Sequence, residues 1–230
     1  MKLNADLTER AHRETSQMEW TASPSDGVWR KRLDREGDEV ARATSLVKFD
    51  PGAGFPHHVH GGGEEFLVLE GTFSDASGDF EEGTYVRHPI DSEHAPWSDE
   101  GCVILVKLRQ MHDPDEETLV VDTAARDWTD GPYHAARQKE LFAADSGEVV
   151  RLERWEPGFG PGEVIYPGGA EFFVLEGRFA DETDTYETGD WLRLPPGASH
   201  YPRSEEGATI WTKKGHLTRD IEACGGREAV

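Results

Sequence analysis

Positive charge is what this chain has least of. Lysine and arginine number 24 against 46 aspartates and glutamates, for a net charge of −22. Such a surface repels phosphate backbones, so nucleic acid is excluded as a direct partner; it suits solvation in salt or a basic protein partner. Cysteine is scarce too, with only Cys102 and Cys224. Two distant cysteines make no disulfide framework. Cys102, inside the apolar run GCVILVKL, is expected to be buried and inert, and Cys224, in a polar tail, to be an exposed thiol. No apolar run approaches membrane-spanning length. The polar start, MKLNADLTERAHRETSQ, lacks the apolar core of a signal peptide, so a cytoplasmic protein without membrane contact is expected. Helical periodicity is missing as well. Val, Leu, Ile, Phe and Trp come in short runs between Gly, Pro and Asp, which is the pattern of many short strands.

A chain of 230 residues holds one large domain or two small ones. Leu3 and Leu7 are candidate anchors for a short edge strand or arm. Strands are expected over residues 28–33, 40–49, 66–69, 72–74, 85–88 and 103–108, with a charged turn at 35–38. The charged stretch HDPDEET, 112–118, reads as a linker. Beyond it the pattern repeats at a shift of 106. EEFLVLEGTFSD, 64–75, falls on AEFFVLEGRFAD, 170–181. Gly83, Arg87, Pro89, His94, Pro96 and Ser98 recur as Gly189, Arg193, Pro195, His200, Pro202 and Ser204. Two copies of one unit follow, each a small β-barrel or sandwich. The expected divisions are 1–113, 114–222 and a flexible tail at 223–230. Exposed barrel edges suit a homodimer or packing of the halves on each other.

Chemistry concentrates in GAGFPHHVHGGGEEFLVLEG, Gly52 to Gly71. His58 and His60 stand two apart, which in a strand turns both imidazoles to one side. The same parity turns His57 away. Gly61, Gly62 and Gly63 supply a tight turn that brings Glu64, at the head of a second strand, back beside the histidines. Two imidazoles and a carboxylate suit a divalent first-row metal, and His94 is the candidate fourth ligand. The bland alternative, a polar rim on an ordinary turn, explains this spacing poorly. Three histidines and one carboxylate leave positions open for water, O₂ or a bidentate ligand. Each imidazole needs a partner for its other nitrogen, and Glu65 or backbone carbonyls are expected to serve. Phe66, Tyr85 and Trp97 are candidate pocket walls, with core packing as the alternative. Arg87 and Arg193 read as structural ion pairs, with carboxylate binding as the alternative. No residue stands out as catalytic. In the second copy Val164, Tyr166 and Ala170 occupy the places of His58, His60 and Glu64. That half is expected to be metal-free, its degenerate site marked by Tyr166, Arg193 and His200 and refilled by packing side chains.

The motif G-x5-H-x-H-x3-E-x6-G is met by Gly52, His58, His60, Glu64 and Gly71. A second, G-x5-P-x-G-x2-H-x3-N, is met by Gly83, Pro89 and His94, with Asp91 in place of Gly and Ser98 in place of Asn. These are the motifs of the cupin superfamily, which the whole chain resembles. Within it, GGGEEFLVLEG, the RHP segment at 87–89 and SDEGCVILVKL resemble the ChrR-like cupins. The resemblance implies an all-β bicupin, two tandem double-stranded β-helix (jelly-roll) barrels. It also implies one divalent metal, zinc or iron, with manganese or nickel as further choices, on His58, His60, Glu64 and His94. Two roles are implied. One is that of ChrR-type anti-ECF sigma factors, sensing an oxidant or small molecule and meeting a sigma factor. The other is that of mononuclear non-haem Fe(II) dioxygenases of the acetylacetone-cleaving type, acting on a dicarbonyl or phenolic ketone. The helical, zinc-holding N-terminal domain of those anti-sigma factors has no match here: the first 20 residues contain no cysteine and lead into barrel sequence.

Overall fold

The computed structural model describes residues 1–38, 40–111 and 117–218. Cys224, the expected tail and most of the expected linker lie outside them. Among the described residues there is no α-helix, and none is therefore long and apolar enough to cross a membrane. The protein is all-β, and its strands form two compact units.

The first unit is built from an antiparallel sheet in the order Lys2–Leu3, Val28–Gly37, Ala41–Phe49, Cys102–Leu108, Glu64–Asp75, Thr84–His88 and Leu119–Asp122. Its strands run longer than the sequence pattern indicates. The expected turn at 35–38 is strand as far as Gly37, because a bulge between Arg32 and Asp34 restores the pairing with Ala41–Phe49. The separate strands expected at 66–69 and 72–74 are one, Glu64–Asp75. It bends at Gly71, whose φ of 71° and proximity to the Gly101 carbonyl leave no room for a side chain. Phe49, Phe66, Val68, Phe73, Phe80, Val86 and Ile104 make the core.

In the second unit the order is Thr129–Asp130, Ala136–Ala143, Val149–Trp155, Ala208–Lys214, Ala170–Ala180, Trp191–Leu194 and Ala11–Arg13. Its core is richer in large aromatics: Trp155, Phe159, Phe172, Phe179 and Tyr186. Trp155 and Phe159 stack with centroids 4.3 Å apart at 17°. The compact units divide the chain differently from the expected 1–113 and 114–222. Asp6–Met18 belongs to the second unit, where Ala11 pairs with Arg193, and the first unit runs on to Ala124. A two- or three-residue strand in polar sequence carries too little pattern to show which sheet it joins.

Candidate metal centre

Four side chains of the first unit converge. His58 lies in the two-residue strand His58–Val59, which pairs with Glu93–His94 so that His58 faces His94 directly. The expected pairing with the Glu64 strand does not occur; the glycine turn instead hands the chain across to a different sheet. Gly63 closes that turn with φ 75° and a hydrogen bond from its N–H to the His60 carbonyl of 2.9 Å. A Cβ on Gly62 would stand 2.7 Å from Arg109 Cα, so glycine lets the two backbones touch and sets Glu64 beneath His60. Asp91, where the second motif has Gly, takes a left-handed φ of 64°, a conformation aspartate tolerates better than most residues.

The donor atoms face one point. His58 Nε2 and His60 Nε2 are 3.2 Å apart, and Glu64 Oε2 lies 3.5 Å from His60 Nε2 and 3.6 Å from His94 Nε2. Donors sharing one ion at about 2.1 Å stand about 3.0–3.4 Å from each other, so the set is close to closing on a cation. The other ring nitrogens are already engaged. Nδ1 of His58 donates to the Pro56 carbonyl at 2.9 Å, and Nδ1 of His94 donates to Asp75 at 2.9 Å. These bonds leave both Nε2 atoms as lone pairs. His60 Nδ1 is 3.0 Å from Ser92 Oγ, a hydroxyl that donates or accepts as the ring requires.

Electrostatics favour the same reading. Burial, then the charge of Asp75, pushes the Glu64 carboxyl up to about 8. Burial, then His94, His58 and His88, pushes His60 down to about 2. His94 is lowered by burial against the pull of Asp75. Neutral imidazoles beside a carboxyl that resists ionisation are not ion pairs, despite the short distances. Glu64 Oε2 and His94 Nε2 are buried without a hydrogen-bond partner. A buried acceptor left in that state costs about 1–3 kcal/mol. A cation would satisfy both.

Asp75, not Glu65, is the carboxylate behind the histidines. Burial opposes its ionisation, but hydrogen bonds from Ser77 and His94 hold it below the usual range. His88 packs here too, 4.0 Å from Asp75 and stacked on His60 at 5.7 Å, with its pKa pushed down to about 4 by burial and His94. Both residues carry a signal within the repeat. Asp75 recurs as Asp181, whereas His88 becomes Leu194 in the copy without the donor set. Replacing Asp75 by Ala is expected to weaken metal binding by about 10–100-fold in chelator competition, the usual cost of losing an outer partner; Glu65→Gln should leave it unchanged.

The remaining candidates separate. Glu65, Tyr85 and Arg87 lie on the opposite face of the sheet, as alternation after Glu64 requires. There Glu65 accepts hydrogen bonds from Tyr85 Oη at 2.9 Å and from Arg87 at 2.8 Å. They form a buried ion-pair group and do not line the pocket. Phe66 is on the donor side, packed against Phe73 and His88 at 4.7 and 5.9 Å. The donors open into a cavity of 570 Å³ walled by Val47, Phe49, Phe55, Phe73, Ile104 and Val106. That volume falls in the range of small-molecule sites, about 300–1,000 Å³.

No such donor set forms among the described residues of the second unit. His200 is fully buried with Nε2 on Asp181 at 3.1 Å, a carboxylate also held by Arg10 at 2.7 Å and Tyr186 Oη at 3.0 Å. Tyr166 packs near His200, with centroids 5.9 Å apart. Arg193 is elsewhere, donating to the Asp6 carbonyl at 2.8 Å. The interior is filled by aromatics and also by charge. At the positions of Val47, Val106 and Leu108 stand Glu153, Thr212 and Lys214. Glu153 accepts from Trp155 Nε1 and Thr212 Oγ1, both at 3.1 Å, and pairs with Lys214.

Two tandem all-β units, one carrying a His₃Glu cluster that could hold a metal ion, are the architecture of a bicupin, and sequence comparison agrees. The ChrR Cupin-like domain model matches twice, over residues 8–112 and 116–218; the chain belongs to this family. Among solved structures it is similar to a Nostoc punctiforme PCC 73102 protein named as a dioxygenase candidate: TM-score 0.74, 15% identity, covering 93% of this chain and 85% of that one. Protein Ylba from E. coli gives 0.67 at 14% identity, covering 94% and 93%. Lactobacillus farciminis oxalate decarboxylase, solved with formate, gives 0.66 at 12% identity, covering 91% and 87%. At these identities the likeness is one of fold. Among curated proteins none matches.

Proposed function

We propose that the first unit binds one divalent metal through His58, His60, Glu64 and His94 and uses it to take up a small molecule in a regulatory role. The observation that carries this reading is the convergence of four donors, Nε2 and Oε atoms, three on buried residues and the fourth on half-buried His58, on one point at the end of a largely apolar cavity. All-nitrogen and oxygen donors suit zinc or iron, with manganese or nickel also accommodated. A metal there supplies a Lewis acid for oxygen donors. The protein's part is to hold the His58 and His94 imidazoles in one tautomer, to orient His60 against Ser92, and to keep bulk water off the donors with Phe49, Phe55 and Phe73. Family membership supports sensing of an oxidant or small molecule. The net charge of −22 supports a basic protein partner such as a sigma factor.

The second reading is a mononuclear Fe(II) dioxygenase acting on a dicarbonyl or phenolic ketone. It is favoured by the size and apolar walls of the cavity, which exceed what a structural ion needs. Elemental analysis of purified protein, combined with an oxygen electrode and 2,4-pentanedione, separates the two. Iron with oxygen consumption supports the enzyme. Zinc without turnover, together with capture of a purified sigma factor, supports the regulator. Protein free of metal after growth in metal-replete medium would sink both.

A further inference from the structure

The cavity wall carries an excess of cations that the metal centre does not account for. Strand Val28–Gly37 sends Arg30 to the cavity side, opposite Val47. After the bulge it sends Arg35 there, opposite Ala43, and Arg109 lines the cavity from the far side. A row of arginines on one interior face is unexpected in a chain with 24 cationic and 46 anionic side chains.

Arg30 is the telling member. It makes no ion pair among the described residues. Its guanidinium sits 5.4 Å over the Phe55 ring, itself a cavity wall. The charges that act on it are like charges, Arg32 and Arg35, and together with burial they lower its pKa. Arg32 is occupied by Thr21 Oγ1 at 2.7 Å, and Arg35 by the Asp38 carbonyl. A half-buried guanidinium with a planar fork and no anion is built to receive one. In the second unit the strand register puts the uncharged Gln138 at this place, opposite Glu153 as Arg30 is opposite Val47.

We infer that the first unit's ligand is an organic carboxylate, with its carboxylate on Arg30, its apolar body between Phe49, Phe55 and Phe73, and a second oxygen donor toward His58, His60, Glu64 and His94. The inference rests on the metal reading for that last contact alone. Neutral diketones satisfy the apolar wall and the donors but leave Arg30 unpaired.

Phenylpyruvate carries all three features, and its methyl ester lacks only the charge. Calorimetric titration of metal-assayed protein with both probes tests the assignment. Wild type is expected to bind phenylpyruvate at least tenfold tighter than the ester. Arg30→Gln should lose about 10–100-fold for phenylpyruvate, as expected for a charged hydrogen-bonded pair, and nothing for the ester. Arg30→Lys should recover part of the loss, which a misfolded variant would not. Equal affinity for acid and ester in wild type, no binding of either, or an unchanged Arg30→Gln would overturn the assignment. Wild-type protein without metal would instead fail the metal reading, and the acid-over-ester preference measured on that same protein still decides Arg30.

Discussion

His58→Ala is expected to release most of the bound metal while the second unit stays folded. The variant removes one of four converging donors and leaves Glu64 Oε2 and His94 Nε2 facing each other with less to share. The loss should exceed the 10–100-fold expected for Asp75→Ala, because a ligand is removed and not merely its support. Stability gives a second readout. Metal that binds only the folded state stabilises it by about 2.7 kcal/mol at a hundredfold excess over Kd. Wild type should therefore show a melting transition that rises with added metal, and His58→Ala should show none. The tryptophan-rich second unit, with Trp155, Trp191 and Trp211 buried, should keep its near-UV circular dichroism in both proteins. Full metal occupancy in the variant would mean that the donor set is assigned wrongly.

Lys214→Met is expected to destabilise the second unit by about 3 kcal/mol. Glu153 is buried, and its carboxyl is kept below the ordinary 4.5, against burial, by the Lys214 charge and by bonds from Lys214, Trp155 and Thr212. Removing the cation leaves an uncompensated buried charge, which costs about 3–5 kcal/mol; the lower end applies because the Lys214 side chain is 20% exposed. The double variant Glu153→Val with Lys214→Leu installs the residues that the first unit has at Val47 and Leu108. It should recover part of the loss, short of about 1 kcal/mol for each of Trp155 Nε1 and Thr212 Oγ1, which are left without their acceptor. Denaturant unfolding followed by tryptophan fluorescence measures both. A double variant no better than the single one would show that the charge pair is not what fills this barrel. The pH dependence has a definite sign. A carboxyl whose folded pKa is depressed contributes stability above its unfolded pKa and loses it as pH falls through the folded value. The contribution of Glu153 should thus be complete above about pH 4.5 and fade below it, and it should be absent from the double variant.

The donor set was legible because its spacing is local. His58, His60 and Glu64 lie within seven residues, and strand parity plus a glycine turn is enough to aim them. Even so, the sequence suggests the Glu64 strand as partner of the His58 strand, whereas the structure pairs it with Glu93–His94, since two residues of β-structure carry no register signal. The spacing suggests Glu65 as a histidine partner and Tyr85 as a pocket wall, but pleating turns both to the opposite face, where Arg87 makes the structural ion pair expected of it. Asp75 and His88 were within reach of a comparison between the two copies. Arg30 was not, because nothing in VWRKRLDREG says which arginine enters a cavity.

Period and repetition determined by themselves that the chain is β-structure in two related copies, and that only the first retains three imidazoles and a carboxylate. Those properties depend on neighbours in sequence, where alternation and turn chemistry act. Tertiary structure alone decided which strand crosses to which sheet, which carboxylate stands behind His94, and which guanidinium is left without an anion. Pairings such as Asp75 with His94, 19 residues apart, or Arg30 over Phe55 are set by the closure of the barrel. Closure obeys the summed packing of the whole interior, and no short stretch of sequence contains that sum.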